Sequence, residues 1–446
     1  MLDPKVFKAY DVRGIYPSEI DESGAREIGR AYVEQFEPER IAVGHDMRTS
    51  SPSMAQAAME GAAAAGADVI DIGLVGTEML YFAVGDLGLD GGLQVTASHN
   101  PKEYTGLKVV RRGAMPVGGD SGLLDIRDRA LSSPAVSKGQ ALGQVQKEDV
   151  FPGFVDKVLS FVDVDHIQRQ RVVIDAANGM GGVMLPPVLE RIPIDAVPYF
   201  FEPDGTFPNH QPNPLLPENR KFVIGKVRED GADLGGAFDG DADRCFFIDD
   251  TGEFVPGDFV TALLAESMLE KNPGAKIIYD VRASWAVPET IERAGGVPLV
   301  NRVGHAFIKQ RMREEDAVFA GEVSGHYYFR DFFQADSGVI PFLLVLELVS
   351  KRRPLSELLR PYRERYFLTG EINVPVADVA VKLQEIKERF GDEGTVSHLD
   401  GISIEAEDWH LNVRPSNTEP LLRLNLEALS EELMERKRDE VLELLG

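Results

Sequence analysis

The sequence predicts an α/β protein: three related α/β domains with mixed sheets and a smaller C-terminal α+β domain, arranged around a central cleft. Three observations carry that prediction. A strand, helix, strand and strand-then-loop order recurs in three blocks, the pattern changes near residue 367, and 446 residues are too many for one ordinary core.

Each block opens on a short apolar run that ends in a polar residue: ERIAVGHDMR (39–48), RVVIDAANG (171–179) and AKIIYDVRAS (275–284). Runs of this kind suit parallel strands buried on both faces, and helical segments such as MAQAAMEGAAAAG follow them. A second strand is expected at ADVIDIGLV (67–75), DAVPYFFEPDG (195–205) and GVPLVNRVGH (296–305). A third run then ends in a polar loop, as GLQVTASHNP, DLGGAFDGDADR and AVFAGEVSGH. The residues diverge between blocks while their order does not, which argues for three copies of one unit. Ligands gather at the carboxyl ends of strands in open α/β sheets, so TASHNP, DGDADR and GEVSGH are expected to face one cleft.

From FLTGEINV onward the signals change to a helical VADVAVKLQEIKERFG, the strands GISIEAED, WHLNVRPSNTEP and LLRLNLEA, and a closing helix from Ser430 to Leu445. That order fits mostly antiparallel strands with RPSNTEP as the polar loop. The expected domains are 1–147 with the serine loop, 148–250 with the acidic loop, 251–366 with GEVSGH and 367–446 with RPSNTEP.

With 43% hydrophobic and 27% charged residues and no low-complexity tract, the composition is that of a globular protein. A net charge of −26 argues against nucleic acid or an anionic membrane as partner, because phosphate backbones are held by basic patches. An anionic small substrate stays open, since screening confines surface fields to about 8 Å and a few arginines can make a cationic pocket. The single cysteine, Cys245, excludes an internal disulfide, and MLDPKVFKAYDVRG has no long apolar run. A reduced, cytoplasmic setting is expected, with a monomer or homodimer.

The loops suggest chemistry. DGDADR places Asp239, Asp241 and Asp243 at alternate positions, so three carboxylates can turn to one point and hold a hard cation, Mg²⁺ before Ca²⁺ or Mn²⁺. A calcium hand does not fit: its sixth position would be Arg244 where glycine is needed, and its twelfth Asp250 where a glutamate belongs. Arg244 adds a cation suited to phosphate. RPSNTEP offers the guanidinium of Arg414 with Ser416, Asn417 and Thr418 as neutral donors. In GEVSGH, Glu322 and Ser324 can accept from and donate to neighbouring sugar hydroxyls. With a metal site and two phosphate-suited donor sets expected in the same cleft, Ser98 in TASHNP is better placed to carry a phosphoryl group than to attack an acyl carbon, and no G-x-S-x-G elbow surrounds it.

TASHNP, DGDADR, GEVSGH, RPSNTEP and the opening FKAYDVRGIYP together resemble the α-D-phosphohexomutases, in the bacterial and archaeal phosphomannomutase/phosphoglucomutase branch. The resemblance implies four domains around a cleft, Ser98 as the phosphoserine, and Mg²⁺ held by Asp239, Asp241, Asp243 and an oxygen on Ser98. It implies acid/base work for Lys108, support from Arg13 and Arg244, and orientation of the serine by His99. Glu322 and Ser324 match contacts to the sugar O3 and O4, His305 and His326 line its pocket, and Arg414, Ser416, Asn417 and Thr418 clamp the non-reacting phosphate. Where this branch commonly has a lysine after Asp-Val that contacts the sugar or a phosphate, the chain has Arg282 as the substrate-binding residue.

The activity implied by the resemblance is reversible phosphoryl transfer between the 1- and 6-positions of a hexose phosphate, through a 1,6-bisphosphate, with glucose 1,6-bisphosphate as activator. Contacts limited to O3 and O4, equatorial in both sugars, leave glucose and mannose undistinguished. The alternatives are a phosphoglucosamine mutase and a Mg²⁺-dependent sugar phosphatase.

Overall fold

The computed structural model describes residues 2–132, 142–416 and 421–446. It forms two compact units: the chain up to Val255 together with Gly325–Leu355, and Pro256–Ser324 together with Ser356–Gly446.

The first unit holds two sheets. In the first sheet Arg40–His45 lies between Asp68–Leu74 and Gly91–Val95, all parallel, as their continuous apolar runs require. Tyr104–Arg111 then turns back antiparallel on Gly91–Val95, and Val12–Ile15 adds antiparallel beyond it. Helices Glu22–Phe36 and Ser51–Ala64 pack beside the sheet. Their crossing depends on two glycines: a Cβ at Gly29 would lie 2.1 Å from the Ala58 carbonyl oxygen, and one at Gly61 would lie 2.0 Å from that of Arg26. In the second sheet Arg171–Asp175 lies between Asp195–Tyr199 and Leu234–Phe238, again parallel, and Cys245–Ile248 returns antiparallel.

The two sheets share one device. The serine loop joins Gly91–Val95 to Tyr104–Arg111, and the acidic loop joins Leu234–Phe238 to Cys245–Ile248. Each is the hairpin at the carboxyl end of the third strand of its block. A short pair, Tyr327–Phe329 with Ala335–Asp336, and the apolar helix Val339–Lys351 complete this unit. That helix is buried along most of its length; among the described residues no helix is long and apolar enough to cross a membrane.

In the second unit Lys276–Asp280 runs parallel to both Val297–Asn301 and Phe319–Gly321. The C-terminal residues form an antiparallel sheet in which Leu421–Ala428 pairs with Trp409–Pro415, Ile372–Pro375 and Phe367–Leu368. Helices Val379–Phe390 and Glu431–Leu445 cover it; the second, charged along its exposed side, buries Leu433, Val441 and Leu445. Residues 251–366, one block in the sequence, are divided between the two units.

Candidate active site

Ser98 sits in the hairpin after Gly91–Val95 with a left-handed φ of 47°, its amide donating to Thr96 Oγ1 at 2.8 Å. Its Oγ lies 3.1 Å from Asp239 Oδ2 and 3.1 Å from His99 Nδ1. Burial, then the charges of Arg244 and Arg13, push His99 well below the usual histidine range, so the imidazole is neutral. The serine and acidic loops touch at Gly240, where a Cβ would fall 2.3 Å from the Ser98 carbonyl oxygen.

The acidic loop does gather its carboxylates. Ala242, with φ 59°, bends it so that Asp239, Asp241 and Asp243 bring oxygens within 4.8 Å of one another, all fully buried. Lys108, on Tyr104–Arg111, reaches in and donates to Asp241 Oδ2 at 2.7 Å and Asp243 Oδ2 at 2.6 Å. Burial opposes the ammonium charge, but Asp241 and Asp243 outweigh it and raise Lys108 well above its usual range. Burial likewise works against Asp241, yet Lys108 and a 2.5 Å hydrogen bond from Thr77 Oγ1 hold it below the ordinary carboxylate range. Asp239 titrates in the opposite sense, pushed up by burial although Arg244 pairs with it through Nε at 2.8 Å and Nη2 at 2.7 Å.

Two further sequence candidates join this cluster. Arg13 donates to Asn100 Oδ1 at 2.7 Å and pairs with Asp11. His326 lies 2.9 Å from Asp336 Oδ2 and shares a compact group of donors with Asp336 and Asp243.

In the second unit Glu322 accepts from the Gly304 amide at 3.0 Å, which places it next to His305 in sequence at the start of helix His305–Glu315; Ser324 and His305 are half-buried. Arg282 is gripped by Asp280 through Nε at 2.9 Å and Nη2 at 2.8 Å. Arg414 donates to Glu371 Oε2 at 3.1 Å, and Ser416 is half-buried after it. Asn417 and Thr418 lie outside the described residues.

Similarity to known proteins decides the family. Residues 4–131, 152–252, 256–366 and 371–444 match, in chain order, the families described as Phosphoglucomutase/phosphomannomutase alpha/beta/alpha domains I, II and III and C-terminal domain. A curated phosphomannomutase of Salmonella montevideo is 44% identical over 450 residues, 99% of this chain and 98% of the relative. Phosphohexose mutases of Xanthomonas campestris are 43% identical over 442 residues, 98% of each chain. The crystal structure of a phosphoglucomutase/phosphomannomutase family protein from Burkholderia thailandensis superposes with a TM-score of 0.90 at 32% identity, covering 100% of this chain and 98% of that one. The chain belongs to the phosphoglucomutase/phosphomannomutase family. It is a phosphohexomutase, an isomerase of carbohydrate metabolism acting by phosphoryl transfer on hexose phosphates.

A divalent cation fits the mutase's acidic loop. Asp241 Oδ1 and Asp243 Oδ1 are buried without a hydrogen-bond partner, and an all-oxygen donor set is what a hard cation takes.

Several residues that build the site are invisible to motif reading. Arg48, buried at 1% exposure, donates to four carbonyl oxygens of the serine loop: Ser98 and Asn100 at 2.7 Å each, Pro101 at 2.8 Å and Tyr104 at 3.1 Å. Asp46 lies 3.3 Å from its Nε, and its guanidinium sits 5.2 Å from the Phe207 ring centroid. Its one signal in the sequence is its position in HDMRTS, at the carboxyl end of a predicted parallel strand. Thr77, Asp336 and Glu371 carry no signal of their own.

Proposed function

We propose that this mutase moves a phosphoryl group between the 1- and 6-positions of glucose and mannose phosphates, with Ser98 as carrier and a hexose 1,6-bisphosphate as intermediate. The observation that carries the reading is the hydroxyl of Ser98, 3.1 Å from Asp239 inside a buried cluster of three carboxylates, one ammonium and one guanidinium. Phosphoryl transfer needs positioned charge more than covalent chemistry, and that is what the cluster offers.

In the first half-reaction the Oγ–P bond of phosphoserine breaks as an O–P bond forms to the free sugar hydroxyl; in the second, once the bisphosphate has turned over, its other sugar O–P bond breaks and the Oγ–P bond re-forms. In the first, Lys108, kept protonated by its two aspartates, gives a proton to the departing Oγ and the sugar hydroxyl returns one to it; in the second the proton goes to the departing sugar oxygen and returns from the Ser98 hydroxyl. Neutral His99 and Arg13 orient the serine loop and its charge. Asp239, Asp241, Asp243 and an oxygen on Ser98 would hold Mg²⁺, which when bound supplies positive charge against the oxygens of the transferring group. Glu322 and Ser324 take the sugar O3 and O4, with His305 and His326 beside the ring. Arg414, Ser416, Asn417 and Thr418 hold the phosphate that is not reacting, and Arg282 contacts the sugar or that phosphate. Glucose 1,6-bisphosphate phosphorylates Ser98 at the start. The lone Cys245 is buried and free, in keeping with a cytoplasmic setting.

The test incubates the protein with Mg²⁺ and a trace of glucose 1,6-bisphosphate, offers glucose, mannose and glucosamine 1-phosphates separately, and follows the 6-phosphates against Ser98→Ala. Isomerisation of the glucose and mannose esters, lost in the variant, is expected. Turnover of glucosamine phosphate alone overturns the substrate, and phosphate release without isomerisation points to a phosphatase.

A further inference from the structure

Arg414 and Arg423 stand directly opposite each other on the antiparallel strands Trp409–Pro415 and Leu421–Ala428. Like charges so placed repel, and an anion shared by both offsets the repulsion. Glu371, one residue before Ile372–Pro375, is that anion: its Oε2 accepts from Arg414 at 3.1 Å and lies 3.4 Å from Arg282 Nη1, while its Oε1 accepts from Arg423 at 3.1 Å. Three guanidiniums thus converge on one carboxylate, although Asp280 already grips Arg282.

We propose that Glu371 is a built-in competitor for substrate phosphate, a carboxylate that occupies the three arginines between ligands and lowers the affinity with which they hold a phosphate monoester. The proposal rests on the reading of Arg414 as a phosphate clamp. A phosphate monoester brings more charge and one more oxygen than a carboxylate, so it displaces Glu371 from the arginines, at a cost in affinity. That cost suits a clamp that must release the bisphosphate between half-reactions. Counting Arg282, Arg414 and Arg423 against Asp280 and Glu371, the cluster is +1, and loss of the Glu371 charge makes it +2.

Calorimetry with inorganic phosphate on the full-length protein tests this, using wild type, Glu371→Gln, Glu371→Ala and Arg414→Gln, each checked for wild-type thermal unfolding. Both Glu371 variants are expected to bind phosphate about tenfold more tightly at the site that Arg414→Gln loses. Their KM for hexose 1-phosphate should fall together with kcat, because release slows. Equal or weaker binding in the Glu371 variants would show that this carboxylate only props the arginines apart, and overturns the proposal while leaving the clamp. Wild-type phosphate affinity in Arg414→Gln removes the clamp itself, and the proposal with it.

Discussion

Arg48 Nη2 donates to the backbone carbonyl of Ser98 at 2.7 Å, so the residue proposed to carry phosphate is held through its main chain by a guanidinium fifty positions earlier. The same guanidinium serves three more carbonyls of that loop, and it does so fully buried. Ser98 has φ 47°, a conformation that a non-glycine residue keeps only when its surroundings enforce it.

Arg48→Lys is therefore expected to be more damaging than its conserved charge suggests. An ammonium offers three donors from one point and cannot span four carbonyls. Mutase kcat should fall by about a hundredfold with KM changed little, because a displaced nucleophile loses rate before it loses binding. Steady-state kinetics, with mass spectrometry of Ser98 phosphorylation and a thermal melt as fold control, makes the measurement. A kcat within about threefold of wild type would remove the positioning role.

Lys108 supplies the positive charge that Asp241 and Asp243 need in a fully buried site. Lys108→Gln leaves those acids uncompensated, which costs on the order of 3 kcal/mol in a buried pair. In metal-free buffer the variant should unfold at lower temperature than wild type, and millimolar Mg²⁺ should restore more stability to it than to wild type. Calorimetric melts with and without the metal decide; an equal Mg²⁺ response in both proteins would mean that lysine and cation do not share these carboxylates.

Much of this architecture was legible in the sequence. Strands such as Ile41–Val43, Val172–Ile174 and Ile277–Ile278 are buried, and a continuous apolar run between turn residues is their local signature. The acidic loop was legible because its three aspartates stand at alternate positions of one short loop, which a left-handed Ala242 bends so that their oxygens meet. Other features have no local signature. Val12–Ile15 pairs with Tyr104–Arg111, almost a hundred residues away, and Glu371 meets Arg414 and Arg423 through strand register and Arg282 from the end of a strand in another sheet. Lys108 comes from the family resemblance, but its grip on a loop more than 130 residues later is purely tertiary.

Gly240 marks the contact of the serine and acidic loops, and Gly240→Ala forces a methyl to 2.3 Å from the Ser98 carbonyl oxygen. Backbone must move, so both stability and turnover should drop, the latter at least tenfold. Gly225, exposed in helix Pro217–Asp230 with nothing within 4 Å of its would-be Cβ, is the matched control. Gly225→Ala should stabilise by about 0.5–1 kcal/mol and leave kcat unchanged. If both alanines behave alike, close packing at Gly240 is not what constrains the loop.

Asp258 is expected to make the protein's stability depend on pH. It is buried near the start of helix Gly257–Lys271, accepting from the Phe259 amide at 3.1 Å and the Ser284 amide at 3.2 Å. Burial, helped by the charge of Glu427, pushes its carboxyl from 3.8 up to about 7. Between those values the folded chain binds a proton that the unfolded chain has lost, so this group's contribution to stability falls as pH rises from about 4 to about 7 and is level above that. Asp258→Asn keeps the shape and removes the ionisation. Relative to wild type, the variant should gain stability steadily across that window, reaching on the order of 2 kcal/mol at pH 8, with little gain at pH 4. Urea midpoints of the two proteins at pH 4, 5, 6, 7 and 8 give the difference directly, and an offset that stays constant across the series would show that Asp258 enters the native state already charged.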